Sequence, residues 1–172
     1  MNIFVLSLLV KRCARYHCDV HVVKLLLESA QMLCTCHRVL DQNLNKKMDR
    51  KLYRSTHVKH PCNRWLRESV ENYKWLYRLF IALCKEYTYR YNKVHLSEKK
   101  LAKVLKRVPK NIPRIPMTSR PLAMPEKYHV KNDDGSFNIV ESYRLYYINE
   151  KKSLCKWTGR SVPKWFLAEK DR

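Results

Sequence analysis

Acidic residues are scarce in this chain, where 15 Asp and Glu stand against 36 Lys and Arg and leave a formal charge of +21. A helical protein of this size repels itself at such a charge unless its cations meet phosphates or anionic lipid head groups. Long apolar runs are also missing. Residues 1–10, MNIFVLSLLV, are too short to span a bilayer, and they have neither a basic segment in front nor a small-residue cleavage site behind. They read as a buried first segment, which can be a short strand, an extended arm or a helix. The seven cysteines are odd in number and follow no secretory signal, so a disulfide scaffold is not expected. Reduced thiols in an intracellular protein are. There is no internal repeat and no low-complexity tract.

What is present fits one domain: 172 residues, 45% of them hydrophobic, suffice for a single core and not for two full-sized ones. The cations run from Lys11 to Arg172 and are densest over 93–110. A membrane-surface protein concentrates its Lys and Arg on one amphipathic helix or a short tail. The spread here favours nucleic acid, double-stranded DNA in particular, over a membrane; a protein or nucleotide partner stays open, and no obligate protein partner is expected.

The expected fold is all-α: a single compact helical domain with a long central helix, a short N-terminal extended segment and a Pro-rich arm. Residues 14–40 form the first helical region, and the polar stretch 41–59 reads as a loop. His60-Pro61 opens the central helix, 62–91, whose Trp65, Leu66, Tyr73, Leu76, Leu79, Phe80, Leu83 and Tyr87 recur at three- and four-residue steps. Ser97 is placed to cap a short basic helix over 98–107. Five of the seven prolines fall in 109–125, which reads as an extended arm, 133–136 is a turn, and 138–156 is a last amphipathic helix. Three parts follow: a helical core (1–108), an arm and turn (109–136), and a C-terminal helix with an aromatic and basic tail (137–172) packed on the same domain.

Candidate chemistry centres on 20–33, VHVVKLLLESAQML. His21, Lys24, Glu28 and Gln31 lie at i, i+3, i+7 and i+10, on one stripe of a helix otherwise sheathed in apolar side chains. A polar stripe on a buried helix faces partners or a cavity. In that reading Glu28 supplies acid, base or electrostatic catalysis with His21 and Lys24 beside it, and Gln31 contacts substrate. The plain alternative is the solvent side of an amphipathic helix, with Lys24 and Glu28 as a surface ion pair. His60 at a helix start suits a phosphate, and Trp65 and Asn72 on the same helix are further substrate candidates, although Trp65 reads equally as core. Lys103, Lys106 and Arg107, with Lys156, Trp157, Arg160 and Lys164 in the tail, are candidates for nucleic-acid contact, since cations meet phosphates while rings stack on bases. The tail aromatics serve as well to tuck it onto the body. Cys13, His17, Cys18, His21, Cys34, Cys36 and His37 lack the paired spacing of a zinc site, and no metal or other cofactor is expected.

These residues resemble the small all-helical pyrimidine-dimer DNA glycosylases of the phage endonuclease V family. That family has a histidine seven residues before its catalytic glutamate on the first long helix, an interval repeated by His21 and Glu28. The aromatic second helix and the Lys156-Trp157 to Phe166 segment are similar in kind. An uncharacterised group of small phage and large-DNA-virus proteins is also similar, which points to host cytoplasm or nucleus. Leu27 and Gln31 stand where the family has arginines, and Asn2 stands where it has a small residue whose freed amine is the nucleophile. The resemblance thus implies a glycosylase acting on damaged or modified pyrimidines, without extending to Schiff-base lyase chemistry. An enzyme acting on a free nucleotide and a non-catalytic nucleic-acid-binding protein are the alternatives.

Overall fold

The structure, a computed structural model, describes residues 1–167; the last part of the expected C-terminal unit, 168–172, lies outside the described residues. The fold is all-α. Among the described residues eight α-helices run in the order α1 (Val10–Tyr16), α2 (Asp19–Leu40), α3 (Lys46–Lys51), α4 (Pro61–Glu68), α5 (Val70–Tyr91), α6 (Leu96–Leu105), α7 (Ile139–Lys151) and α8 (Lys164–Leu167). Among the described residues the nearest thing to a strand is an isolated bridge between Lys131 and Phe137. No described helix is long and apolar enough to cross a membrane.

The two longest helices, α2 and α5, pack on each other at the centre, flanked by α1, α4 and α6. Their stripe of Leu26, Leu33, Leu76, Phe80 and Leu83 is fully buried. Each such side chain contributes about 1.5–3 kcal/mol of transfer free energy. The extended segment before α1 supplies Ile3, Phe4, Val5 and Leu6 to the same core, which continues to Trp157 and Phe166.

The helix boundaries differ from the sequence expectation where distant segments supply hydrogen bonds. The single helix expected over 14–40 is broken at His17 and Cys18, both extended. There the Cys18 N–H donates to the Tyr147 hydroxyl (2.9 Å) and the Asp19 N–H donates to the Lys156 carbonyl (2.8 Å), satisfying groups that a continuous helix would pair internally. The central helix is likewise divided at Ser69 (φ −150°, ψ 142°). Its hydroxyl donates to the Ile115 carbonyl (2.6 Å) and accepts from Glu71 N–H, while Val70 N–H donates to the Pro113 carbonyl. The extended Pro-rich arm is therefore what splits α4 from α5.

The stretch 41–59 is not wholly loop. Asn45 caps the short α3 by accepting from Met48 N–H, and the adjoining Leu52 is buried. α6 is capped by the His95 ring, which accepts from Ser97 N–H; Ser97, the expected cap, lies inside the helix and is buried, with its hydroxyl 3.0 Å from that of Tyr53. Asn92, in the left-handed region at φ 50°, ends α5. The turn before α7 has Gly135 at φ 80°, as its sequence predicts. The last amphipathic helix ends earlier than 156, at Lys151, and a single 3-10 turn follows.

Candidate active-site cleft and basic surfaces

Three of the four stripe residues meet at one cavity. His21, Lys24 and Glu28 of α2 line a cleft of about 340 Å³, closed by Met1, Asn2 and Phe4 of the first segment, Ala123 of the arm, and Tyr146 and Lys151 of α7. That volume lies in the usual range of ligand pockets, about 300–1,000 Å³. Glu28 is the sole acid among the lining residues. Its carboxylate accepts the Asn2 N–H at 3.0 Å, with the Met1 ammonium 3.9 Å away, and its side chain is 12% exposed. A carboxylate so held is pre-positioned to meet developing positive charge.

Asn2 fixes the geometry. Its side-chain amide donates to the Ala123 carbonyl at 2.8 Å and its oxygen accepts from Tyr143 hydroxyl at 3.2 Å, so one residue ties α2, the arm and α7 together. Nothing local in the sequence signals this, because Glu28, Ala123 and Tyr143 lie 26, 121 and 141 positions away. Phe4 and Tyr146, with ring centroids 6.0 Å apart, give the cleft an aromatic wall.

His21 is tied by its Nδ1, which lies 2.6 Å from the Tyr147 hydroxyl and 3.3 Å from Cys18 Sγ. It presents little surface to the cleft, being 4% exposed. The helix around the stripe is less buried than expected: Val20, Val23 and Leu27 are exposed, and the apolar sheath covers only part of α2. Gln31 is half-buried beyond the cleft lining.

The remaining substrate candidates have structural partners. His60 caps α4 with its own ring, Nδ1 accepting from Cys62 N–H at 3.2 Å. Burial, then the Met1 ammonium and His57, lower its pKa, against the opposing pull of Glu28. Trp65 is 2% exposed and donates to the Thr118 carbonyl, and Asn72 is fully buried, bridging Trp65 carbonyl (2.7 Å) and both Thr118 Oγ1 and N–H. Both hold the arm to the helices, which removes them from any substrate surface.

The cations sort similarly. Lys103 and Arg107 line a second cleft of about 290 Å³ with Lys47 and Lys51 of α3 and the uncharged Asn45, Met48 and Val104; its charged lining residues are all basic. Lys106, Lys156 and Lys164 are exposed. Trp157 is buried, its indole N–H donating to the Tyr16 carbonyl at 3.0 Å and its ring packed on Phe166 at 4.8 Å. Arg160 is engaged by Glu86 through two bonds of 2.9 and 3.0 Å and covers the Tyr89 ring. Glu86 in turn accepts from Arg90, which also reaches Asp19. A further groove of about 690 Å³, which the sequence did not single out, is lined by Lys11, Arg12, Arg15 and Arg78 over an apolar floor that includes Leu8, Leu9 and Trp75. Its charged lining residues are all basic.

Among the described residues no three His, Cys, Asp or Glu side chains converge as a metal site. Comparison with known protein families, with curated proteins and with solved structures gives no match for this chain.

Proposed function

We propose that the chain is a DNA-processing enzyme that cleaves the glycosidic bond of an extruded, damaged or modified pyrimidine in the Glu28 cleft. The observation that carries this reading is the Glu28 carboxylate, alone among the cleft residues in its charge and oriented by the Asn2 N–H at 3.0 Å. As the C–N bond breaks, the sugar gains positive charge, and a fixed carboxylate stabilises it or activates the water that attacks. The base needs a pocket outside the duplex stack, for which Phe4 and Tyr146 supply aromatic surface. Lys24 and Lys151 at the cleft, and the concavities around Lys103 and Arg107 and around Arg12 and Arg78, supply cations for the backbone phosphates.

The test is a base-release assay on duplexes carrying damaged or modified pyrimidines, with free base detected by chromatography. Base release by the wild type, lost in Glu28→Gln while duplex binding persists, is the expected result. No release from any such duplex, with Glu28→Gln behaving as wild type in every assay, refutes the reading. Salt dependence separates the free-nucleotide alternative, because a duplex binder loses affinity steeply between low and physiological salt and a mononucleotide site loses much less.

A further inference from the structure

Cys18 is fully buried at the α1–α2 break, in the N-cap position of α2, yet its side chain caps nothing. Its sulfur faces the imidazole of His21, with Nδ1 at 3.3 Å. The Tyr147 hydroxyl completes the group, accepting from Cys18 N–H at 2.9 Å and meeting the same Nδ1 at 2.6 Å. A second thiol is delivered by the backbone. The Asp19 N–H to Lys156 carbonyl bond and the Trp157 indole to Tyr16 carbonyl bond align 155–157 with 16–19. Cys155, half-buried, directly precedes Lys156 and is thereby set beside Cys18. The pair sits behind the cleft, whose lining includes His21 and Leu154.

The surroundings separate Cys18 from the other thiols. The neighbouring Cys155 thiol first, against burial, and then His21 and Tyr147 hold Cys18 below the usual thiol range. Burial pushes Cys13, Cys34 and Cys62 up to about 11, and raises Cys36 and Cys84 as well. Nucleophilic sulfur chemistry follows the thiolate, and a neighbouring second thiol resolves it.

We propose that Cys18 and Cys155 form a redox dithiol that closes to a disulfide with hydrogen peroxide as oxidant. His21 accepts the Cys18 thiol proton, and the thiolate attacks one peroxide oxygen. The O–O bond breaks, the departing hydroxide takes the proton from His21 and leaves as water, and Cys18 carries a sulfenic acid. The Cys155 sulfur then attacks the Cys18 sulfur. An S–S bond forms, the S–O bond breaks, and hydroxide leaves with the Cys155 proton as a second water. Two thiols lose two electrons and two protons, and peroxide is reduced to two waters. The side of the pair nearest solvent is Cys155, half-buried, beside the exposed Leu154. An external dithiol reverses the reaction by becoming the disulfide itself.

The experiment treats the full chain with equimolar hydrogen peroxide under native conditions, blocks free thiols, and maps a non-reducing digest by mass spectrometry. The expected product is one cross-linked peptide pair joining Cys18 to Cys155, two hydrogens lighter than its parts and released by dithiothreitol. Cys155→Ser stops the reaction at a Cys18 sulfenic acid captured by dimedone, and Cys18→Ser slows peroxide consumption by about tenfold or more. An unchanged thiol titre in the wild type, or dimedone label and cross-links spread over all seven cysteines, overturns the proposal without reliance on any variant. The outcome is independent of whether base release occurs.

Discussion

The stripe of α2 and the C-terminal tail both carry polar side chains at spacings that read as functional, and the fold treats them in opposite ways. In the stripe, Glu28 and Lys24 point into a cleft where few protein groups engage them. In the tail, Arg160 and Trp157 are consumed by partners: Glu86 and the Tyr89 ring for one, the Tyr16 carbonyl and Phe166 for the other. The difference lies in whether a complementary charge or carbonyl waits at the docking position. Glu86 is 4% exposed, and without the arginines it would be an unpaired buried carboxylate.

The sharpest way to break this contrast is to remove Glu86. Glu86→Ala leaves the buried Arg90 guanidinium with Asp19 and the Arg15 carbonyl but no partner for its Nε, frees Arg160, and is expected to cost about 1–3 kcal/mol, read as a lower urea midpoint. An unchanged midpoint would make the network a surface ornament and put the tail back among candidate contact residues. Next comes Glu28→Gln, expected to reduce base release by about 100-fold or more while unfolding shifts by only about 1 kcal/mol. If stability fell as far as with Glu86→Ala, Glu28 would belong to the scaffold.

Smaller effects test the cations. Reversing Lys103 and Arg107 to Glu is expected to weaken duplex binding and to reduce the salt slope by about 0.9 for each phosphate left without its cation, measured by fluorescence anisotropy across a salt series. Arg160→Ala is expected to leave that slope in place and to lower stability instead. The smallest effect is in acid. Burial alone would raise the Glu86 pKa, but hydrogen bonds from Arg160 and Arg90 outweigh it and hold the group below its ordinary value. A depressed folded-state pKa stabilises fully above the unfolded value and is lost as pH falls through the folded one. Urea midpoints from pH 7 to pH 3 should therefore fall for wild type and fall less for Glu86→Gln.

Much of the fold was legible locally. The periodic apolar face of α5, the prolines of the arm and the Asp-Gly turn each carry their geometry in a few neighbouring residues. The errors share one origin. The breaks at Cys18 and Ser69 arise from carbonyls and a hydroxyl of segments far along the chain, namely Lys156, Tyr147, Pro113 and Ile115, so no window around the break contains the cause. The Glu28 stripe could be found by spacing alone. Its cleft could not, because Asn2, Ala123 and Tyr146 come from three other elements. Cys18 was hidden for the same reason, since the sequence gives its spacing from His21 but not the arrival of Cys155 and Tyr147.

Charge and periodicity, then, determined by themselves that this is a basic, all-helical chain with one polar stripe, because both are properties of residue type and local spacing. Tertiary structure alone decided which cations are free and which are paired, which aromatics face a cleft and which are core, and which cysteine meets Tyr147 and His21 together. Burial and hydrogen-bond partnership are set by contacts between segments distant in sequence, and those contacts exist only once the chain has folded.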